Sequence, residues 1–261
     1  MSKLGERLER IGRGSSAPLG FGAAVKRERL PGILFIGTVS SDHSDGARAL
    51  AEGKADAALL RASGEKGDEV QSARQALGDT PWGLWVASPT EERMASLKEE
   101  GCDFVVFESD QVTASALADD AMARVMAISP GLDDRTLRAL EGLPVDALLV
   151  RLPEKASPMN LRHLLDIGVV RSMTSKYLLL EHPCLPNSKE VELLRDAGVD
   201  GVVVDVSSAT AEELDQFRRR LMDLPQKKQK AERSVATLPA TYSRMGTPRR
   251  EDEEEEEEED V

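Results

Sequence analysis

Short apolar runs recur along the chain, and between them apolar positions return every three or four residues. The runs are 33–39, 57–61, 83–87, 104–108, 125–129, 147–151, 177–181 and 202–206. Nearly unbroken Val, Leu and Ile of this length needs burial on both faces, the condition of strands in a parallel sheet covered by helices. The intervening segments read as helices. Thr90 precedes Glu91 and Glu92 as a capping residue precedes first-turn acids. Asn187 opens a second helix that stops near Gly198, and a third runs from Ala211 to Met222. Eight such alternations predict an α/β fold, a compact (β/α)8 barrel. An open doubly wound sheet is the alternative, but Gly37-Thr38-Val39-Ser40-Ser41 after the first strand lacks the later glycines of a dinucleotide loop.

An internal repeat supports closure. Four segments share a turn, an Asp and then an apolar strand: Asp56 before Ala57-Ala58-Leu59-Leu60-Arg61, Asp103 before Phe104-Val105-Val106-Phe107-Glu108, Asp146 before Ala147-Leu148-Leu149-Val150-Arg151, and Asp200 before Gly201-Val202-Val203-Val204-Asp205. The aspartates lie 47, 43 and 54 residues apart, the length of two strand–helix units, which makes these the even-numbered strands. The pattern is clearest in Asp196-Ala197-Gly198-Val199-Asp200-Gly201-Val202-Val203-Val204, and it resembles the aldolase-type TIM-barrel superfamily, which covers phosphate-binding synthases and flavin-dependent barrels. The resemblance implies a TIM barrel and, because one fold hosts many reactions, no particular chemistry.

Strand side chains alternate, so positions one, three and five after each Asp share a face. Position five is Arg61, Glu108, Arg151 and Asp205. Charge is costly between strands and helices, so these four are expected to face the barrel axis at the C-terminal mouth, as a ring of alternating sign above an apolar layer of Leu59, Val106, Leu149 and Val203. Such a ring reads in two ways. Arg61 and Arg151 could clamp a carboxylate or phosphate with their planar forks, leaving Glu108, Glu181 or Asp205 for acid–base work. Equally, the ring could be a self-neutralising ion network that takes no ligand.

Other residues add less. Glu181 and His182 are strand neighbours and point to opposite faces. His182 with Glu108 or Asp205 is a weak candidate for a divalent metal, and no metal site is assigned. His163, inside the helical stretch 160–168, is expected on an outer surface. Asp42 and His43, after the first strand, and Ser207 and Ser208, after the eighth, are candidate substrate-binding residues; the last two lack the glycines of a phosphate loop. No predicted strand ends in a Schiff-base lysine. Cys102 and Cys184 have no evident base, and Trp82 and Trp85 read as packing residues.

The chain has 261 residues, 40% of them hydrophobic and only 3% aromatic, so its core is mainly aliphatic. No apolar run reaches the roughly 18–20 residues of a membrane helix, and no secretory signal opens the chain, which gives a cytoplasmic expectation. The net charge of −13 is unevenly spread. Ten consecutive acids occupy 251–260, whereas 1–32 and 226–250 are basic and the central body is acidic. Phosphates would meet a negative field there, which disfavours nucleic acid. The expected organisation is a disordered basic N-terminal arm over 1–32, a barrel over 33–223, and a disordered basic linker with an acidic tip over 224–261 that solubilises the chain or docks a basic protein partner. The apolar centre of 15–22 is a candidate plug for the N-terminal end of the barrel or a contact with a neighbour. Together these features predict a barrel that binds a small anionic metabolite at its mouth, extending to acid–base chemistry of lyase or isomerase type. The rival is a non-catalytic barrel with a self-paired ring, acting through its charged tails. No cofactor is specified.

Overall fold

Eight parallel strands pair in chain order and close on themselves: β1 (Leu34–Ser40), β2 (Ala57–Arg61), β3 (Trp82–Trp85), β4 (Phe104–Phe107), β5 (Ala123–Ile128), β6 (Ala147–Arg151), β7 (Tyr177–His182) and β8 (Gly201–Asp205). Closure is made by β1 against β8, with Ile36 opposite Val203 and Thr38 opposite Asp205. This computed structural model describes residues 2–12, 31–40, 44–61, 67–152 and 157–224. The 15–22 stretch, Asp42, His43 and the chain after 224 lie outside them.

The period of two divides each strand between two cores. Leu34, Ile36, Leu59, Phe104, Val106, Leu149, Leu179 and Val203 fill the barrel interior. Phe35, Leu60, Val105, Leu148, Leu180 and Val202 pack outward against the helices. Interior residue sizes are matched across strands. A Cβ on Gly83 would lie 2.4 Å from Cδ2 of Phe104, so the bare backbone of β3 is what admits the Phe104 ring.

The helices are α2 (Ser44–Glu52), α3 (Gly67–Leu77), α4 (Glu91–Glu99), α5 (Asp134–Leu140), α6 (Leu161–Met173), α7 (Ser188–Ala197) and α8 (Ala211–Asp223). Thr90, Asp133, Asn160, Asn187 and Thr210 cap their first turns through side-chain oxygens. Gly198 ends α7 at φ +92°, the left-handed conformation that glycine adopts without a steric penalty. Between β4 and β5 only a short 3₁₀ turn, Ala114–Leu117, stands where a full helix is expected.

The four repeated aspartates receive a physical explanation. Backbone N–H groups of Asp56, Asp103, Asp146 and Asp200 donate to the carbonyls of Phe35, Trp82, Arg124 and Leu178, each at 2.8 Å. In three cases the carboxylate returns the bond: Phe35 N–H donates to Asp56 at 2.9 Å, and Arg124 and Leu178 N–H donate to Asp146 and Asp200 at 2.8 Å. The repeat is therefore a register clamp between each even strand and the odd strand before it. Arg218 and Arg124 further engage Asp56 and Asp146.

Asp103 departs from this pattern. Its two oxygens accept the backbone N–H groups of Lys3 and Leu4 at 2.7 and 2.8 Å, capping a helix α1 (Lys3–Gly12) that the sequence reading placed in a loose basic arm. Leu4 and Leu8 are fully buried among the interior side chains, and Arg7 donates to the Asp56 carbonyl. The N-terminal end of the barrel is thus closed by residues 3–12. The Leu4, Leu8 and Ile11 stripe is interspersed with charge, which masks it in composition but not at helical spacing.

Candidate functional site

The inner wall changes character at its C-terminal end. Beyond Leu59, Leu149 and Leu179, the next inward positions are Arg61, Arg151 and Glu181, and β3 contributes Trp85 two residues after Gly83. Arg61 Nη2 donates to Glu181 Oε1 at 2.5 Å, and Arg151 Nε donates to Glu181 Oε2 at 2.9 Å. Arg151 Nη1 also donates to Glu108 Oε2 at 2.9 Å. Both guanidiniums lie over the Trp85 ring, their central carbons 4.5 and 5.2 Å from its centroid. The ring's negative face adds cation–π attraction to the carboxylate bonds. The result is an open chain, Arg61–Glu181–Arg151–Glu108, laid over one indole.

The arrangement differs from the expected ring. Asp205 is exposed, and its Oδ1 accepts from the backbone N–H and hydroxyl of Ser207 at 2.9 and 2.6 Å. A short aspartate two residues before a serine closes a local turn more easily than it reaches across the mouth. Glu181 is one methylene longer and takes the bridging position instead. Ser208 is exposed beside that turn. Ser207 N–H, a candidate anion donor, is therefore already engaged.

The remaining candidates do not converge on this cluster. His182 sits on the opposite face of β7 and is 1% exposed, away from Glu108. Its Nδ1 lies 2.6 Å from the Cys184 carbonyl, which can only accept, so Nδ1 carries the proton. Burial holds its pKa below the usual imidazole range, against the opposing pull of that carbonyl. His163 is buried, not on an outer surface; it completes the cap of α6, its Nδ1 accepting from Asn160 N–H at 3.3 Å. Among the described residues, no group of three or more His, Cys, Asp or Glu side chains could hold a metal ion. The N-termini of α7 and α8 are closed by Asn187 with Glu190 and by Thr210 with Glu213.

Trp85 and Thr38 are the residues that the sequence reading missed. Trp85 reads by residue type as packing, whereas its spacing from Gly83 places it on the inner face. Thr38 shares the inner face with Leu34 and Ile36, and it is 5% exposed. Thr38 Oγ1 and Arg61 Nε are buried without a hydrogen-bond partner among the described residues.

No family model matches the chain, and no curated protein matches it in sequence. Solved structures match in shape, and the fold they define is the TIM barrel. A mutant tryptophan synthase alpha-subunit from the hyperthermophile Pyrococcus furiosus superposes with a TM-score of 0.58 at 14% identity, covering 74% of this chain and 99% of that one. A protein from Aquifex aeolicus VF5 gives 0.58 at 12% identity over 85% and 98% of the two chains. A tryptophan synthase chain from M. tuberculosis gives 0.55 at 10% identity over 73% and 92%. At these identities the likeness concerns architecture alone. Among the described residues, no helix is long and apolar enough to cross a membrane.

Proposed function

We propose that the protein binds a small anionic metabolite at the C-terminal mouth of its barrel, with Arg61 as the principal cation and Arg151 beside it. One observation carries this reading. Arg151 is satisfied by two carboxylates, but Arg61 uses a single nitrogen on Glu181 and leaves its buried Nε–H without an acceptor. A buried donor left unpaired costs about 1–3 kcal/mol, more when it belongs to a charged group, and a ligand oxygen recovers that energy. The location supports the same reading, because TIM-barrel sites lie at this face.

The extension to acid–base chemistry has less support. Glu181 is held by two guanidiniums and Glu108 by one, while Asp205 serves its own turn. The rival reading, a self-paired scaffold acting through its charged tails, is favoured by the Glu181 bridge itself. Thermal unfolding with added acetate or inorganic phosphate separates the two. A ligand at about 100 times its Kd stabilises by about 2.7 kcal/mol, which for a body of this size is a rise of roughly 5–10 °C. The rise should disappear in Arg61→Gln. No rise with either anion would support the scaffold.

A further inference from the structure

The mouth contains a second orphan beside Arg61 Nε. Thr38 Oγ1 is buried on the inner face of β1 with no partner among the described residues, whereas the third such atom, His182 Nε2, belongs to the outer face of β7. Strands β1 and β2 pair with Thr38 opposite Leu59 and Ser40 opposite Arg61, so Thr38 and Arg61 are diagonal neighbours on one wall. Strand spacing and rise put their Cα atoms about 8 Å apart. Apolar packing does not explain the hydroxyl. Valine has the same shape, would fill this position opposite Leu59 and Asp205, and would strand no polar group.

We infer that Thr38 and Arg61 form one subsite for the carboxylate group of the ligand, with Arg61 Nε–H donating to one oxygen and the Thr38 hydroxyl to the other. This rests on the anion-binding reading above and names the group bound. Three observations select a carboxylate over a phosphate. The same cluster already holds one carboxylate, Glu181, with one oxygen on each guanidinium. Several backbone donors a phosphate would use are engaged: Ser207 N–H by Asp205, Lys189 and Glu190 N–H by Asn187, and Glu213 N–H by Thr210. Finally, Arg61, Arg151, Glu181 and Glu108 sum to neutrality and Asp205, opposite Thr38, adds a further negative charge, which opposes a dianion more than a monoanion.

The test is isothermal titration and thermal unfolding of the full chain with acetate and, separately, inorganic phosphate, in wild type, Thr38→Val, Thr38→Ser and Arg61→Gln. The expected result is acetate binding in wild type, retained in Thr38→Ser, weakened at least tenfold in Thr38→Val and lost in Arg61→Gln, with phosphate weaker than acetate throughout. Thr38→Val should also melt no lower than wild type without ligand, which separates lost binding from lost folding. Wild-type acetate affinity in Thr38→Val, with loss in Arg61→Gln, overturns the subsite and leaves anion binding standing; a bridging water would then account for the Thr38 hydroxyl. Phosphate binding more tightly than acetate overturns the carboxylate assignment. No binding of either anion by wild type removes the functional reading itself.

Discussion

Replacing Asp56 by Ala tests whether the repeated aspartates hold the barrel together. Oδ2 accepts the buried Phe35 N–H at 2.9 Å, and Oδ1 accepts from Arg218 at 2.8 Å, with Asp56 only 5% exposed. Alanine strands the Phe35 N–H on the strand that closes the barrel, at about 1–3 kcal/mol. It also removes the partner of Arg218, whose side chain is one-quarter exposed and can turn to water. That loss therefore adds less than the roughly 3–5 kcal/mol of a fully buried broken pair. The sum is about 3–4 kcal/mol, a large share of the roughly 5–15 kcal/mol that a folded protein commands. Urea titration reads it directly. At an unchanged m of about 2–3 kcal/mol per M, the midpoint falls by roughly 1–2 M. Asp205→Ala, an exposed aspartate at the other end of the barrel, serves as control and should cost about 0.5 kcal/mol or less. If Asp56→Ala lowers the midpoint no more than that control does, the clamp is decorative and the argument from the repeat is wrong.

Gly83→Ala would place a Cβ 2.4 Å from Phe104 Cδ2 and 2.5 Å from the Phe104 carbonyl oxygen, and a backbone atom cannot yield as a side chain can. A loss of about 1–3 kcal/mol or more by urea titration is expected, and Phe104→Leu should recover only part of it. Glu141 accepts bonds from Ser175 and Thr174, which hold its carboxyl down at about 2. A depressed carboxylate stabilises above its unfolded pKa and loses that contribution as pH falls through its folded one. The melting-temperature gap between wild type and Glu141→Gln should therefore shrink between about pH 4.5 and pH 2, and a constant gap refutes the assignment. Burial pushes the Cys102 thiol up to about 12, while Cys184 is exposed. A disulfide reagent should label one thiol per native chain and both after denaturation.

The architecture was legible because each element carries its own signal. Doubly buried strands demand short apolar runs, and the clamp places an aspartate at one fixed step before β2, β6 and β8, so the repeat survives in single letters. Strand parity likewise placed Arg61, Arg151 and Glu108 on the inner wall. The choice of partners was not legible. Glu181 and Asp205 have the same parity, but register sets Glu181 opposite Val203 and leaves Asp205 one inward step beyond, where Ser207 engages it. Trp85 and Thr38 follow the same rule of two, but each was read by residue type rather than by the face it occupies. Pairing across strands depends on register, which no single run of letters contains.

The diversion of Asp103 leaves one joint of the cylinder less well fastened than the rest. Between β3 and β4 the ladder is the shortest, running only from Gly83 to Trp85 against Phe104 to Val106, and the carboxylate that would have riveted it grips a stopper at the floor instead. That joint is where the wall should part first under stress. Trp85, the platform beneath both guanidiniums, ends one of its two edges, so loosening the stopper below would be felt at the rim above.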